Sequence, residues 1–531
     1  MSKKINENFN NALIKFNLKE FNDAEILLRK IIHIDNNYHK AHFLLGIIEF
    51  QNKSFLAAIN YFNLAIDKDP TNPQYNYNLG LSYYQLTDYK NAIKFYTLSL
   101  NFDNEYVIAY SNKGAAEHKA GLIEDALSSY LCAYELDKEN IDTIFNIALI
   151  LYDLKSYEES LLYFDLAINL NSNNDSYFSL LFFNKANTLR SIGRISDSII
   201  YYKYAIAINS NYPEALWNLS NALLHIGNFK EGWLYYHHRW HKYKYNPPFK
   251  NNNILSASNL TQLNSKNLLI WSEQGIGDVI LFSKFLSLLE NLCSNIYCII
   301  DKRLISLFNR SYTNIKFIDN LDTSLKIDYH IPFGDLGKFF LLNTNNFKHL
   351  PNPHLLACAD KTKNFKKLLR NSTKINCGLI WKSPNSNFNS FKSINLIDLK
   401  SILNIDSFNF ISLQHGDIIH DLNCLPKDIF KTINEVNSVD LYNDIDNLTA
   451  LIQSLDLVIT ISNSTAHLAG SLGKETLLLL SMDQGGFWYW NNIDCDSRNL
   501  WYPSVKIFKQ TTPNDWSHPI DELKSYLSNV Y

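Results

Sequence analysis

The chain has 531 residues, 46% of them apolar and 19% charged, with 49 Lys and Arg against 52 Asp and Glu for a formal charge of −3. That length builds more than one substantial core, and only 13 Pro and 17 Gly exclude a collagenous or Pro/Gly-driven disordered chain. The near-neutral charge gives nucleic acid or an anionic membrane no global electrostatic hold. Seven scattered cysteines with no CxxC fit reduced thiols in a cytoplasmic protein better than a disulfide framework or a cysteine zinc site. The opening MSKKINENFNNALIKF lacks the apolar core of a signal peptide, and no window approaches about 18 apolar residues, so no transmembrane segment is expected.

The first half repeats. Small residues recur at Ala12, Gly46, Gly80, Gly114, Ala148, Ala186 and Ser220, spaced by 34 residues with one interval of 38. A second small register, 12 residues later, runs Ala24, Ala58, Ala92, Ala126, Ser160, Ser198 and Gly232. A third supplies bulk at Leu28, Phe62, Tyr96, Tyr130, Phe164, Tyr202 and Tyr236, in the same phase through the insertion. Small positions let paired helices approach, and large ones fill the gap to the neighbouring pair. The pattern resembles the tetratricopeptide repeat, with about seven units over residues 1–246. Stacked pairs of this kind form an all-α superhelix whose concave face holds a peptide, protein or polymeric partner. Tyr83, Asn78 and Asn112 are candidate groove residues, with packing or solvation as the plainer reading of each. The array closes on FKEGWLYYHHRW, which predicts burial of Trp233 and Trp240 against the next part of the chain. His237 and His238 are adjacent, point apart on a helix and lack a spaced third ligand, so a metal is not expected there.

Residues 247–267 read as a connector opened by the Pro247–Pro248 break. Beyond it, short apolar runs alternate with helix-length segments. Strands are expected at 268–271, 296–300, 315–318 and near 328–332, with a helix from about 278 to 291. A second set is expected at 375–381, 408–413, around 435–441, at 456–461 and at 476–480. Strands interleaved with helices imply two parallel-sheet domains, 268–370 and 371–531, with sites at the carboxyl ends of strands.

Two turns carry chemistry. In WSEQGIGDVILF a strand ends, Gly275 and Gly277 open a turn whose backbone amides can approach a bound ligand closely, and a helix begins near Asp278, a residue that reads equally as a helix cap. The full GxGxxG dinucleotide pattern is absent, since Ile280 stands in it, which argues against an NAD enzyme. In DLVITISNSTAHLAGSLGK a strand runs into a polar turn, Ser462 to Thr465, and then a helix carries Ala466, His467, Ala469 and Gly470. The free amides around Asn463 to Ala466, with the Ser464 and Thr465 hydroxyls beside them, form a candidate phosphate cradle. His467 there reads as a packing histidine from bare sequence.

Residues 268–518 resemble the glycosyltransferase-like domain found behind tetratricopeptide repeats in bacterial proteins, similar in turn to heptosyltransferases and more distantly to protein O-GlcNAc transferases. The landmarks are Gly275, Gly277 and Asp278; Gly378, Leu379 and Trp381; Lys392, Ser393 and Ile394; and Ser412, Leu413, Gln414 and Gly416. Asp440, Leu441 and Asp444, the run Thr449–Ile459, AHLAGSLGK at 466–474, WYP at 501–503 and KIFKQ at 506–510 come after them in order.

The resemblance implies a glycosyltransferase B fold, two facing Rossmann-like domains, behind the repeats. It implies inverting, metal-independent transfer of a sugar from a nucleotide-diphosphate donor to a hydroxyl of a protein or glycan acceptor held by the repeats. Asp278 would be the general base, the first domain the acceptor side and the second the donor side. Lys392 and the amides from Asn463 to Ala466 would face the diphosphate, His467 would brace that turn or touch the phosphates, and Gln414 and His415 would meet the base or ribose. The chain departs from the family at Ser462 and Asn463, where Asp-Thr is usual, at Lys392 for Arg, at Glu475 for Pro, and in GFWYW at 486–490. A lysine lacks the bidentate fork of arginine. A repeat-based interaction scaffold with a catalytically decayed transferase domain is the alternative.

Overall fold

The computed structural model describes residues 2–171, 176–240, 247–248, 253–290, 292–322, 325–370, 373–383, 392–436, 438–482 and 487–531. Parts of the expected connector, 249–252, and Gly486 of the GFWYW stretch lie outside the described residues. The chain divides into two compact units, Met1–Thr188 and Leu189–Tyr531.

The first unit is a row of helical pairs: α1 (Ser2–Asn17) with α2 (Phe21–Ile34), α3 (His39–Gln51) with α4 (Phe55–Ile66), and α5 (Pro73–Gln85) with α6 (Tyr89–Phe102). Then come α7 (Val107–Lys119) with α8 (Ile123–Leu136), α9 (Ile141–Asp153) with α10 (Tyr157–Leu170), and α11 (Ser176–Ser191), inside which the unit boundary falls. The large register fills the space left by the small one of its own pair. A Cβ added to Gly46 would lie 2.5 Å from the Phe62 ring, one on Gly80 2.9 Å from Tyr96, and one on Gly114 3.0 Å from Tyr130. Each ring thus fits where a side chain is missing, and the pair cannot slide without a clash.

A fourth register appears only in the backbone. Each turn within a pair carries a left-handed residue: Lys19, Lys53, Thr87, Gly121, Lys155, Gly193 and Gly227, with φ between 60° and 80°. Glycine adopts this region freely and a β-branched residue least readily. Only three of the seven are glycines, so residue identity hides a repeat that the geometry keeps.

The second unit begins with the end of α11, followed by α12 (Ile195–Ile208) and the pair α13 (Pro213–His225) with α14 (Phe229–Tyr236), which carry the same registers. It continues as β1 (Asn267–Trp271), α15 (Ile276–Phe282), β2 (Asn295–Ile299), β3 (Ile315–Ile318), β4 (Tyr329–Pro332), α16 (Gly337–Phe340) and α17 (Ala359–Leu369). The last part is β5 (Ile375–Leu379), β6 (Phe408–Ser412), β7 (Ile433–Glu435), α18 (Ile445–Ser454), β8 (Leu457–Ile461), α19 (Ser464–Ser471), β9 (Thr476–Leu480), β10 (Val505–Lys509) and α20 (Ser517–Val530). Two sheets result, ordered β3-β2-β1-β4 and β10-β9-β8-β5-β6-β7, and every pairing is parallel. The central strands β8 and β9 are buried throughout, as strands covered on both faces must be.

Three expectations change in detail. The helix expected over 278–291 stops at Phe282, because Ser283 turns its hydroxyl back onto the Ile280 carbonyl at 2.8 Å and the chain tightens into a 3-10 turn before Leu286–Leu289. The run expected around 435–441 is strand only over Ile433–Glu435, since Asp440 draws the following chain into a turn by accepting from the amides of Tyr442 and Asn443. β10 adds an edge to the second sheet, paired with β9.

The expected burial of Trp233 is found: its indole N–H donates to the Leu341 carbonyl at 2.7 Å, and Gly337 leaves its ring the room a side chain would occupy. Trp240 is half-buried and stacks edge-on to Trp271. One apolar core joins Trp217, Trp233 and Tyr236 to both sheets, so the last helices are built into the α/β unit. All seven cysteines are unpaired.

Candidate functional site

Parallel strands send their carboxyl ends to the same edge of a sheet, and four of these ends carry the turns that the sequence marks as chemical. β1 leads into Gly275–Asp278, β5 into the loop that returns at Lys392, β6 into Gln414 and His415, and β8 into Asn463–His467.

Asp278 is the third residue of α15, whose first cap is Gly275 with no side-chain cap bond. Its carboxyl faces the Gly275 amide, as a cap would, yet burial pushes its pKa up to about 6 against the pull of that amide, Lys392 and Arg239. Lys392 is 6% exposed and lies 4.0 Å from the centre of the Phe487 ring. Burial brings its pKa down to about 8, with Asp278 opposing the fall. The two charges therefore act on each other across loops that follow different sheets.

His467 meets both. A Cβ on Gly277 would lie 2.8 Å from its ring, so the glycine turn exists in contact with the histidine. The Tyr502 hydroxyl faces His467 Nδ1 at 3.1 Å, and the rings of Trp490 and Tyr489 close around it at 4.7 and 5.1 Å between centroids. Burial and the charge of Lys392 drive its pKa down to about 3, so it stays neutral across the physiological range. Its ring thus packs on the glycine turn as a neutral group.

The other expected residues divide. Asn463 caps α19, accepting from the Ala466 amide at 3.0 Å, so Ala466 has no amide left for a ligand. Ser464 is exposed at the helix start, with Thr465 nearly buried beside it. Ser462 accepts from the Trp490 indole at 3.0 Å. Gln414 takes the Lys382 amide at 2.9 Å and the Trp381 amide at 3.4 Å and donates to the His415 carbonyl, which makes it a clamp between the turns after β5 and β6. His415 is half-buried against Tyr442, its pKa lowered by burial. Among the described residues no three His, Cys, Asp or Glu side chains are grouped to hold a metal ion.

A buried charge cluster was not anticipated. Arg239, fully buried after the last helical pair, donates to Glu273 at 2.7 Å and pairs with Asp335 at 2.5 Å. Glu273 follows β1, Asp335 follows β4, and Tyr236 beneath the guanidinium faces Gln274 at 3.5 Å. The cluster thereby fixes the backbone just ahead of Gly275. The available signal was a single arginine in an aromatic helix end together with a glutamate beside GxGD.

The family models that match are described as tetratricopeptide repeat and fall on residues 12–73, 73–106 and 141–174. The amino-terminal domain is a tetratricopeptide-repeat array. Such arrays are protein-interaction modules, since their stacked pairs present a continuous surface larger than any single repeat. A relative, Protein FlbA of Caulobacter vibrioides, is 24% identical over 398 residues, covering 69% of this chain and 64% of FlbA. The chain thus spans just under two thirds of that relative's length, and the match outruns the repeat array into the α/β half. Among solved structures, PilF of Pseudomonas aeruginosa is 16% identical and covers 40% of this chain and 96% of its own, with a TM-score of 0.35. YrrB, described as a TPR protein with an unusual peptide-binding site, is 18% identical over 36% of this chain and 95% of its own, with a TM-score of 0.33. Among the described residues no helix is long and apolar enough to cross a membrane.

Proposed function

We propose that the repeat array captures a protein or glycan acceptor and that the α/β unit, a glycosyltransferase B pair of Rossmann-like domains, transfers a sugar to its hydroxyl from a nucleotide-diphosphate donor. The convergence of Asp278, Lys392 and His467 from turns after β1, β5 and β8 carries this reading. A carboxyl of pKa about 6 is ionised at neutral pH yet basic enough to take a proton. Asp278 accepts the acceptor's proton as its oxygen attacks the anomeric carbon. The bond from that carbon to the departing phosphate oxygen breaks with inversion, and the nucleoside diphosphate leaves with the electron pair. Lys392 and the amides of Ser464 and Thr465, in the first turn of α19, stabilise the growing charge. His467, neutral, keeps the glycine turn in place.

The test is calorimetric titration of the full chain with UDP, GDP, ADP, CDP and TDP, followed by turnover with the matching sugar nucleotides. Saturable binding of one diphosphate, weakened at least tenfold by Lys392→Ala, and transfer abolished by Asp278→Asn are expected. Absence of any diphosphate binding by the folded chain would overturn the reading.

A second reading, an interaction scaffold with a decayed transferase unit, is favoured by two observations. The matching family models fall within the repeats, and Gln414 and Asn463 have their polar groups engaged by their own backbone. It predicts that Asp278→Asn leaves both partner capture and phenotype intact.

A further inference from the structure

A cavity of about 380 Å³ lies on the outer side of α14, between it and the segment after β4 that contains α16. Its inner wall is Trp233 and Tyr236, both almost fully buried, and its floor includes Asp335. Two aliphatic side chains border it and stay uncovered, Leu234 at 64% and Leu342 at 43% exposure. Exposed apolar side chains around a concavity of this size mark a place that something covers.

The charge around the opening selects the occupant. Lys230 and Lys338 line the cavity beside His237, whose pKa burial lowers, and the carboxylate in it, Asp335, pairs with Arg239 at 2.5 Å. Lys338 lies 4.0 Å from that carboxylate, and Lys230 is exposed at the opening. The opening is therefore net cationic over an apolar, aromatic wall. A cationic ligand would face both lysines, and a wholly apolar one would leave their charges partly desolvated.

We infer that this cavity is a docking site for an acidic peptide segment with an aliphatic or aromatic anchor residue, the anchor seated between Trp233, Leu234 and Leu342 and its carboxylates on Lys230 and Lys338. The site lies where an acceptor would need holding, because Tyr236 and Asp335 also contact the cluster that fixes the turn ahead of Asp278. Calling the peptide an acceptor rests on the transferase reading; the binding does not.

The test is fluorescence anisotropy on the full chain with a labelled dodecapeptide carrying a central Leu-Phe pair flanked by glutamates, without sugar donor. Saturation at micromolar concentration is expected, with at least tenfold weakening in Lys230→Glu/Lys338→Glu and at least threefold in Leu234→Ser. Lys230 and Leu234 are exposed, so Lys230→Gln and Leu234→Ser keep the test valid if the double variant fails to fold. Equal or tighter binding of a peptide with lysines in place of the glutamates would overturn the charge assignment. Equal binding of a version with Ser-Ser at its centre would overturn the anchor, and binding unchanged by every variant would place the peptide elsewhere. No binding would overturn the proposal as a whole, whatever the outcome of the diphosphate titrations.

Discussion

The repeat unit and the α/β unit solve burial in opposite ways. In the first, the core is a string of small clusters, Ala58, Phe62 and Leu79 in one, Ala92, Tyr96 and Ala116 in the next, each shared by adjacent pairs. Its buried charges have partners within a turn or one repeat, as Lys113 with Glu117 at 2.9 Å and Lys185 with Asp165. In the second, two large cores, one running from Trp217 to Ile507 and one from Cys377 to Leu527, take in segments far apart in the chain, and the first surrounds ionisable groups drawn from them. Lys284 is 1% exposed with no carboxylate within ion-pair distance among the described residues, its ammonium held by the Trp501 carbonyl and the Tyr502 ring. Burial lowers its pKa to about 7. Repetition spreads stability evenly and pairs its buried charges close along the chain, whereas a large core holds charges from distant segments out of water, where chemistry can use them.

The largest effect is expected from breaking the buried cluster. Arg239→Ala would leave Glu273 and Asp335, 1% and 5% exposed, without their cation, at a cost of about 3–5 kcal/mol. Calorimetry should show the α/β transition falling by several degrees with the repeat transition unmoved. Equal loss in both would mean that the two units melt as one.

The repeat unit should respond more locally. Leucine at Gly80 drives a side chain into Tyr96, with the nearest ring atom already 2.9 Å from a bare Cβ, and overpacking of this kind costs about 1–3 kcal/mol. Hydrogen exchange should rise in α5 and α6 and fade away from them. Uniform acceleration over the whole chain would contradict the nearest-neighbour picture.

Between these lies the pH response of the candidate site. Asp278 has its folded pKa raised to about 6 from 3.8, so its contribution is complete below 3.8 and is lost as pH rises through 6. Asp278→Asn removes that loss, and its melting temperature relative to the wild type should climb from pH 4 to pH 7. Lys392 has its folded pKa lowered to about 8 from 10.5, so its contribution to stability increases from pH 8 toward 10.5. If both act in transfer, the rate rises near pH 6 as Asp278 ionises and falls near pH 8 as Lys392 loses its proton. Lys392→Arg should move the alkaline limb beyond the accessible range, and an unmoved limb would assign it to another group.

The smallest effects sharpen the comparison. Thr87 holds φ at 60°, a poor conformation for a β-branched residue, and Thr87→Gly should stabilise the repeats by about 1 kcal/mol or less in chemical unfolding. Tyr502→Phe removes the hydroxyl facing His467 Nδ1, a bond of about 1 kcal/mol. In the wild type, nitrogen NMR reads the direction of this bond: His467 protonated at Nε2 means that the phenol donates to Nδ1, and protonated at Nδ1 that it accepts. In the variant the wild-type tautomer should no longer dominate, and an unchanged spectrum would show that the ring's other neighbours fix it.

Much of this molecule can be read in one dimension. The small and large registers predict the helical pairs because the contact they encode, such as Gly80 with Tyr96, joins residues only 16 apart in the chain. The buried strands were likewise legible as apolar runs between turns. β10 was harder, since KIFK has charged ends and reads as readily as a loop motif. The glycine turn and the helix start after β8 could be located, but neither pattern says that Gly277 rests on His467.

The sequence by itself determined the repeats, the parallel strands and the turns at their ends, because those depend on periodicity and on neighbours close along the chain. Only the tertiary structure decided that Arg239 meets Glu273 and Asp335, that Asp278 and Lys392 shift one another's ionisation, and that Gln414 and Asn463 serve their own backbone. The physical reason is sheet order. Strand order and packing choose which carboxyl ends become neighbours, and a charge senses the burial of its surroundings, which no local pattern of residues records.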